Sequence, residues 1–198
     1  MKKGRIEAFS DGVLAIIITI MILEIKTPES GYVHAMFKMI PDFVSFVVSF
    51  ILVCIGWYNQ HYVISITKWF SRRAFWANSV WLFVMAFLPV ATAWVSEFWW
   101  MRAPEMFYLI VYALWNITFH IFVIILNSDH KNKYPGVSKK LMETRVFKKK
   151  YIWTHIILFT AGFVLTYFWP MMSLVVILIE SIIWFGNVPN KRGDQFEK

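Results

Sequence analysis

Long apolar blocks separated by short polar segments are the dominant pattern along the chain. Asp, Glu, Lys and Arg are absent from residues 43–67, 74–96, 106–128 and 151–179, and each stretch exceeds the ~20 residues that a transmembrane helix needs. These runs are continuous rather than alternating, which favours helices over strands. The pattern predicts an all-α polytopic membrane protein, a single domain over 1–198 with six spans at about 7–26, 42–64, 74–97, 105–127, 151–168 and 171–187.

The positions of the prolines support these boundaries. Six of the seven prolines fall at the ends of the predicted spans or between them. Pro89 lies inside the third span, where it cannot donate a backbone hydrogen bond to the preceding turn. A kink is therefore expected in the third span.

The first span has two different faces. At about 100° per residue, one face carries an aliphatic stripe with a single hydroxyl: Ile16, Thr19, Ile20 and Leu23. Ser10 and Asp11 fall roughly on the opposite side, where a carboxylate near the hydrocarbon boundary needs a partner. Arg5 or a polar group on a neighbouring helix is the candidate partner. Periodicity by itself is more typical of a stripe that faces lipid or packs on another helix.

The charge distribution predicts the orientation. The chain carries 20 Lys and Arg and a net charge of +8, and with the N-terminus inside, only Lys26, Lys38 and Arg102 lie on the outer side. This asymmetry predicts that both termini are cytoplasmic and argues against nucleic acid as a partner. The basic segment 128–150 is predicted to be a cytoplasmic loop that meets anionic lipid headgroups at Lys148, Lys149 and Lys150.

Polar residues inside spans are candidates for function. The cytoplasmic end of the second span and the start of the third reach the same membrane depth as Ser10 and Asp11. The sequence therefore predicts a polar network across three helices, drawn from Arg5, Ser10, Asp11, Trp57, Asn59, His61 and Asn78. A structural clamp between helices is the favoured interpretation of this network, ahead of catalysis.

The sequence assigns no role to three further polar residues. Asn116 and His120 share one face of the fourth span, but two ligands without an acid or a cysteine are too few for a metal site. Glu180 has three alternatives: a water-filled vestibule, a pair with His155, or the protonated form. Nucleophile elbows, HExxH, Walker and Rossmann motifs are absent from the sequence. The sequence therefore predicts neither an enzyme nor a bound cofactor.

The start of the first span resembles a known family signature. Arg5-x-x-x-Phe9-Ser10-Asp11 is similar to the motif of the transmembrane protein 175 family, potassium-selective channels of animal endosomes and lysosomes with shorter prokaryotic relatives. The resemblance continues through Ile16, Thr19 and residues 21–23, then to Trp57, His61, Asn78 and residues 87–89. It covers the first three spans; the last three match in number and hydropathy. Gln60 departs from the pattern, since some relatives carry a second histidine there.

The resemblance implies an assembly and a pore. A single six-helix unit is similar to the prokaryotic form, a homotetramer in the plasma membrane whose first helix lines a central pore without a re-entrant filter loop. Carried over, the constricting ring falls on Ile16, further aliphatic rings on Ile20 and Leu23, and a hydroxyl ring on Thr19. No metal is expected beyond the permeating K⁺.

These expectations lead to one hypothesis and one alternative. The hypothesis is a cation channel, modestly selective for potassium over sodium, whose aliphatic rings block ions by excluding water. The alternative is a small six-helix secondary transporter that uses Asp11, His120 or Glu180 for ion coupling. Such a transporter is favoured by discontinuous helices near the midplane.

Overall fold

Helices account for the regular structure throughout the part of the chain described here. The structure is a computed structural model that describes residues 3–185, and these contain no β-strand. A 3₁₀ turn lies at Arg145–Phe147. The α-helices are α1 (Lys3–Leu23), α2 (His34–Phe37), α3 (Ile40–Ile66), α4 (Arg72–Met85), α5 (Leu88–Glu97), α6 (Arg102–His130), α7 (Pro135–Met142), α8 (Lys149–Phe168) and α9 (Met172–Phe185). The predicted all-α class is confirmed.

Within residues 3–185, five helical segments are long and apolar enough to cross a membrane: α1, α3, α4 together with α5, α6 and α8. The apolar helix α9 has 14 residues, about 21 Å at ~1.5 Å per residue. The predicted sixth span, 171–187, ends outside the described residues. The predicted single domain over 1–198 remains a prediction.

Two helix ends differ from the predicted span boundaries. The first span is predicted at about 7–26, whereas α1 runs from Lys3 to Leu23. The segment predicted as a basic loop, 128–150, begins inside α6, which continues to His130, and contains the short amphipathic helix α7. Helix α7 buries Val137 and Leu141. A hydropathy average over a window as long as a span does not detect so short an amphipathic helix.

The third span is interrupted where the proline predicts it. Helix α4 ends at Met85, and α5 begins at Leu88 with Pro89 in its first turn. The amides of Ala86 and Phe87 donate to carbonyls of α4 at 3.0 and 3.1 Å, which closes the end of that helix. The predicted kink is confirmed as a break just before the residue that lacks an N–H.

Helix α1 is held along one face. Its buried residues recur at intervals of three or four and pack against α3, α4 and α5. They are Ile6, Ser10, Leu14, Ile17 and Met21. The rest of the bundle thus contacts α1 from one side and leaves the opposite side uncovered.

An aromatic core joins α4, α6 and α9. The buried rings of Trp81 and Phe119 lie 5.9 Å apart, and Trp115 lies 6.1 Å from Trp184. Helix α3 approaches this core closely at Gly56, where an added Cβ would lie 2.8 Å from Cζ2 of Trp115. Glycine is therefore required at this crossing.

The polar contacts at one end of the bundle define a basic end. Nζ of Lys3 donates to the Ser65 carbonyl at 2.6 Å, and Arg73 pairs with Asp129 at 2.6 Å. Arg145 donates to the Ile183 carbonyl, near the end of α9. The start of α1 and the end of α9 therefore lie at the same end of the bundle.

Replacing Gly56 by alanine should destabilise the protein. The new methyl group would overlap with Trp115, whose ring is held by its aromatic neighbours, so we expect a loss of about 1–3 kcal/mol. The thermal unfolding midpoint of the purified protein in detergent measures this loss. Gly136→Ala is the matched control, since a Cβ there meets no atom within 4 Å. Equal midpoints for the two variants would contradict the close packing.

Candidate functional site

The aliphatic stripe of α1 lies on the surface of the helical bundle. Ile16 is 59% exposed, Ile20 42% and Leu23 80%, while Ile17 and Met21 between them are buried. Thr19 is also exposed, and its hydroxyl donates to the Ile16 carbonyl at 2.8 Å. The two faces predicted from periodicity are thus observed, with the stripe turned away from the rest of the chain.

A buried chain of polar side chains anchors the back of α1. The amide of Asn78 on α4 donates to the Ser10 hydroxyl at 3.0 Å, and the Gln60 amide on α3 donates to Oδ1 of Asn78 at 2.8 Å. All three side chains are buried. Ser10 and Asn78 therefore meet as predicted, and the link to α3 is made by Gln60, which the sequence marked as a departure from the family pattern.

Asp11 forms a second contact with α3. The Trp57 indole N–H donates to Oδ1 of Asp11 at 2.8 Å, and the Trp57 ring stacks on His61 at 5.6 Å. Asp11 is exposed, so its predicted placement on the back face of α1 is only partly correct. Among residues 3–185, its partner is a polar group on a neighbouring helix and not Arg5.

Three of the predicted motif residues point elsewhere. Arg5 and Phe9 are exposed on the same side of α1 as the stripe, so Arg5 does not join the buried chain. Asn59 donates to the Ile55 carbonyl of its own helix at 2.8 Å. The predicted network therefore includes two contacts between helices, Ser10–Asn78–Gln60 and Asp11–Trp57–His61.

A second polar cluster lies in α6, α8 and α9, away from α1. Nδ1 of His155 contacts the carboxylate of the fully buried Glu180, so the pairing alternative for Glu180 is the one observed. The rings of His120 and His155 are 6.5 Å apart, and Nδ1 of His120 bonds the Asn116 carbonyl at 2.8 Å. Asp11 is not part of this cluster, so the three candidate coupling residues do not form one site.

Sequence reasoning missed two buried polar contacts that join helices. Glu105 accepts a hydrogen bond from Ser173, which ties α6 to α9. Ser49, Thr92 and Tyr108 form a hydroxyl chain across α3, α5 and α6. Isolated hydroxyls in apolar runs carry no periodic signal. Glu105, the acid at the start of the fourth predicted span, could have been found by its position.

Together these features define a multi-pass α-helical membrane protein whose first helix exposes an aliphatic stripe. The model of the family described as "Endosomal/lysosomal potassium channel TMEM175" matches residues 5–89. A protein named a potassium channel in Chryseobacterium sp. (strain P1-3) is 35% identical over 193 residues, or 97% of this chain and 96% of that protein. The chain belongs to this family of potassium channels, and the prediction that it is not an enzyme is confirmed.

Two further comparisons extend the likeness to the fold. A protein named a potassium channel in Streptomyces collinus (strain DSM 40733 / Tue 365) is 41% identical over 101 residues, 49% of each chain. The crystal structure of a lysosomal potassium-selective channel TMEM175 homolog from Chamaesiphon minutus superimposes with a TM-score of 0.74 at 26% identity. That likeness covers 92% of this chain and 95% of the other, so it extends beyond the family match at residues 5–89 into the last three helices.

Replacing Asn78 by leucine should destabilise the anchor of α1. The buried Ser10 hydroxyl and Gln60 amide would each lose a partner, and each unsatisfied group costs about 1–3 kcal/mol. Thermal unfolding in detergent measures the loss. Ser79→Ala is the control, since that hydroxyl donates to the Phe75 carbonyl of its own helix. Equal losses of stability for both variants would contradict the role of Asn78 in anchoring α1.

Proposed function

We propose that four copies of this chain form a homotetramer around a central pore lined by α1 of each copy. Potassium ions pass through this pore with a modest preference over sodium. In this proposal Ile16, Ile20 and Leu23 form rings that narrow the pore, and Thr19 contributes a ring of hydroxyls. The relatives named as potassium channels support the permeant ion.

The observation that carries the proposal is the exposed stripe of α1. The opposite face is buried against three helices of the same subunit, so the bundle can present α1 as part of a wall. Because the bundle covers only one side of α1, several copies of the chain are needed to enclose a pore. The stripe is continuous over Ile16, Thr19, Ile20 and Leu23, which all lie on the exposed side.

The aliphatic rings suit a gate that works by excluding water. Isoleucine and leucine side chains offer no hydrogen bonds, so a narrow ring of them dewets and blocks ions. Opening widens the ring or rotates α1 until a partly hydrated ion can pass.

The hydrogen bond of Thr19 suits contact with a cation. Its hydroxyl proton is directed to the Ile16 carbonyl at 2.8 Å, so the lone pairs of the oxygen are free to point outward. Oxygen atoms that replace hydration water are the basis of potassium selectivity in channels. One hydroxyl per subunit supplies fewer oxygens than a carbonyl-lined filter, so discrimination is modest.

We assign the protein to the plasma membrane of a prokaryote with both termini cytoplasmic. The clustering of Lys3, Lys68, Arg73 and Arg145 at the basic end supports this orientation, since cytoplasmic segments are rich in Lys and Arg. Lys148, Lys149 and Lys150 are exposed where α8 begins. Anionic lipid headgroups are their proposed partners.

A secondary transporter is the second candidate. The convergence of His120, His155 and Glu180 favours it, since buried titratable groups can couple proton or sodium movement. The break between α4 and α5 is a further feature of transporters. Coupled transport would give saturable uptake that depends on a proton or sodium gradient, whereas the channel conducts without one.

Replacing Ile16 by asparagine should raise potassium flux. An amide at the narrowest ring holds water and so lowers the barrier to a hydrated ion. Flux is measured in vesicles with the purified protein under a potassium gradient, after light scattering has given the mass of the complex. Ile157→Asn is the control, since Ile157 is similarly exposed, at 62%, but lies on α8.

Two outcomes would overturn the gate or the assembly. Unchanged flux in Ile16→Asn would remove Ile16 as the gate. A monomeric mass would overturn the pore, because one α1 cannot enclose it.

Replacing Thr19 by alanine should lower the K⁺/Na⁺ permeability ratio while conduction persists. The change removes the proposed hydroxyl ring and leaves the aliphatic rings in place. Reversal potentials in planar bilayers under bi-ionic conditions measure the ratio. Thr160→Ala is the matched control, since Thr160 is exposed on α8 and also bonds its own helix at 2.8 Å. An unaltered ratio in Thr19→Ala would exclude the hydroxyl from selectivity.

A further inference from the structure

Three buried hydroxyls link α3, α5 and α6 directly behind α1. The Ser49 oxygen lies 2.7 Å from Oγ1 of Thr92 and 2.5 Å from the Tyr108 oxygen. Ser49 and Tyr108 are fully buried, and Thr92 is almost so. We call these three residues the hydroxyl triad.

The hydrogen bonds of the triad run in one direction. Oγ1 of Thr92 lies 2.7 Å from the Leu88 carbonyl, which can only accept. The Thr92 proton is therefore used there, so Ser49 must donate to Thr92 and Tyr108 must donate to Ser49. The chain thus starts on α6, passes through α3 and ends on the backbone of α5.

The end of this chain contacts α1. Oγ1 of Thr92 lies 3.9 Å from the sulfur of Met21, which is 1% exposed on the back face of α1. Met21 follows Ile20 and precedes Leu23 by two residues, so the triad lies behind that part of the stripe. The Ser10–Asn78–Gln60 contact lies about 16 Å away along the helix, at ~1.5 Å per residue.

We propose that Ser49, Thr92 and Tyr108 are positioning residues that hold the outer half of α1 and so set the width of the pore at Ile20 and Leu23. This inference rests on the proposed pore. The bonds to Ser49 and Leu88 lock the rotamer of Thr92, which fixes the surface that Met21 meets. Ser10 and Asn78 hold the other half of α1, and two separated contacts together define the rotation of a helix about its axis.

Hydroxyl burial alone does not account for the triad. The Ser45, Thr166 and Ser181 hydroxyls are also buried in spans, and none has a hydrogen-bond partner within residues 3–185. The bundle therefore tolerates a buried hydroxyl without such a chain. What distinguishes the triad is that it joins three helices at the point where α1 meets them.

The test is single-channel recording of the purified complex in planar bilayers. Ser49→Ala leaves the Tyr108 proton without its acceptor, and Thr92→Val does the same to the Ser49 proton. We expect both to change the ratio of open to closed time roughly fivefold or more, the shift typical of losing one buried hydrogen bond. Thr92→Ser keeps the hydroxyl oxygen that Thr92→Val removes, so it should keep the parental ratio. Tyr108→Phe should have a smaller effect, because it removes a donor and strands no proton.

Controls separate this inference from the proposed pore. Thr166→Val makes the same change to a buried threonine remote from α1 and should leave gating unchanged. Ile16→Asn in the same preparation tests the pore itself. If Ile16→Asn alters the current but the triad variants match Thr166→Val, the triad is structural and the inference is overturned. If no variant alters the current, the pore is overturned.

A double variant tests the inference if Ser49→Ala does not assemble. Ser49→Ala/Tyr108→Phe removes the stranded proton together with its acceptor. We expect this double variant to assemble and to gate abnormally. Parental gating in the assembled double variant would overturn the inference.

Discussion

Helix α1 is anchored along a single face, and its exposed stripe requires that anchoring. Lipid tails are as apolar as leucine, so the hydrophobic effect does not drive one span against another. Packing and hydrogen bonds between helices must do so. The back of α1 has both, in Ile17 and Met21 and in the bond between Ser10 and Asn78. The stripe can therefore stay uncovered without loosening the helix.

The remainder of the bundle supports this arrangement. The aromatic core of α4, α6 and α9 does not include α1, so it gives the helices that contact α1 a rigid base. Gly56 lets α3 lie close to Trp115, and Gln60, one turn further along α3, reaches Asn78. The position of the polar anchor thus depends on a glycine in the core behind it.

Hydropathy and periodicity predicted the all-helical class and the two faces of α1, because both follow from the geometry of a helix in a bilayer. Partners could not be predicted in the same way. Asp11 had several candidates at one depth, and the choice of Trp57 over Arg5 depends on helix rotation and rotamers. Gln60 departs from the family pattern, yet its amide can both donate and accept, and it donates to Asn78. The pairing of Glu180 with His155 was one of three open alternatives.

The hydroxyls within the spans show why a side chain's own chemistry does not identify its role. Thr19 and Thr160 are both exposed, and each donates to a carbonyl of its own helix. Thr92 makes the same kind of bond but is buried, and its oxygen also meets Ser49. The hydrogen bond to the backbone is common to all three. What distinguishes Thr19 is its place on the uncovered face of a helix whose other face is fixed, so its role follows from packing elsewhere.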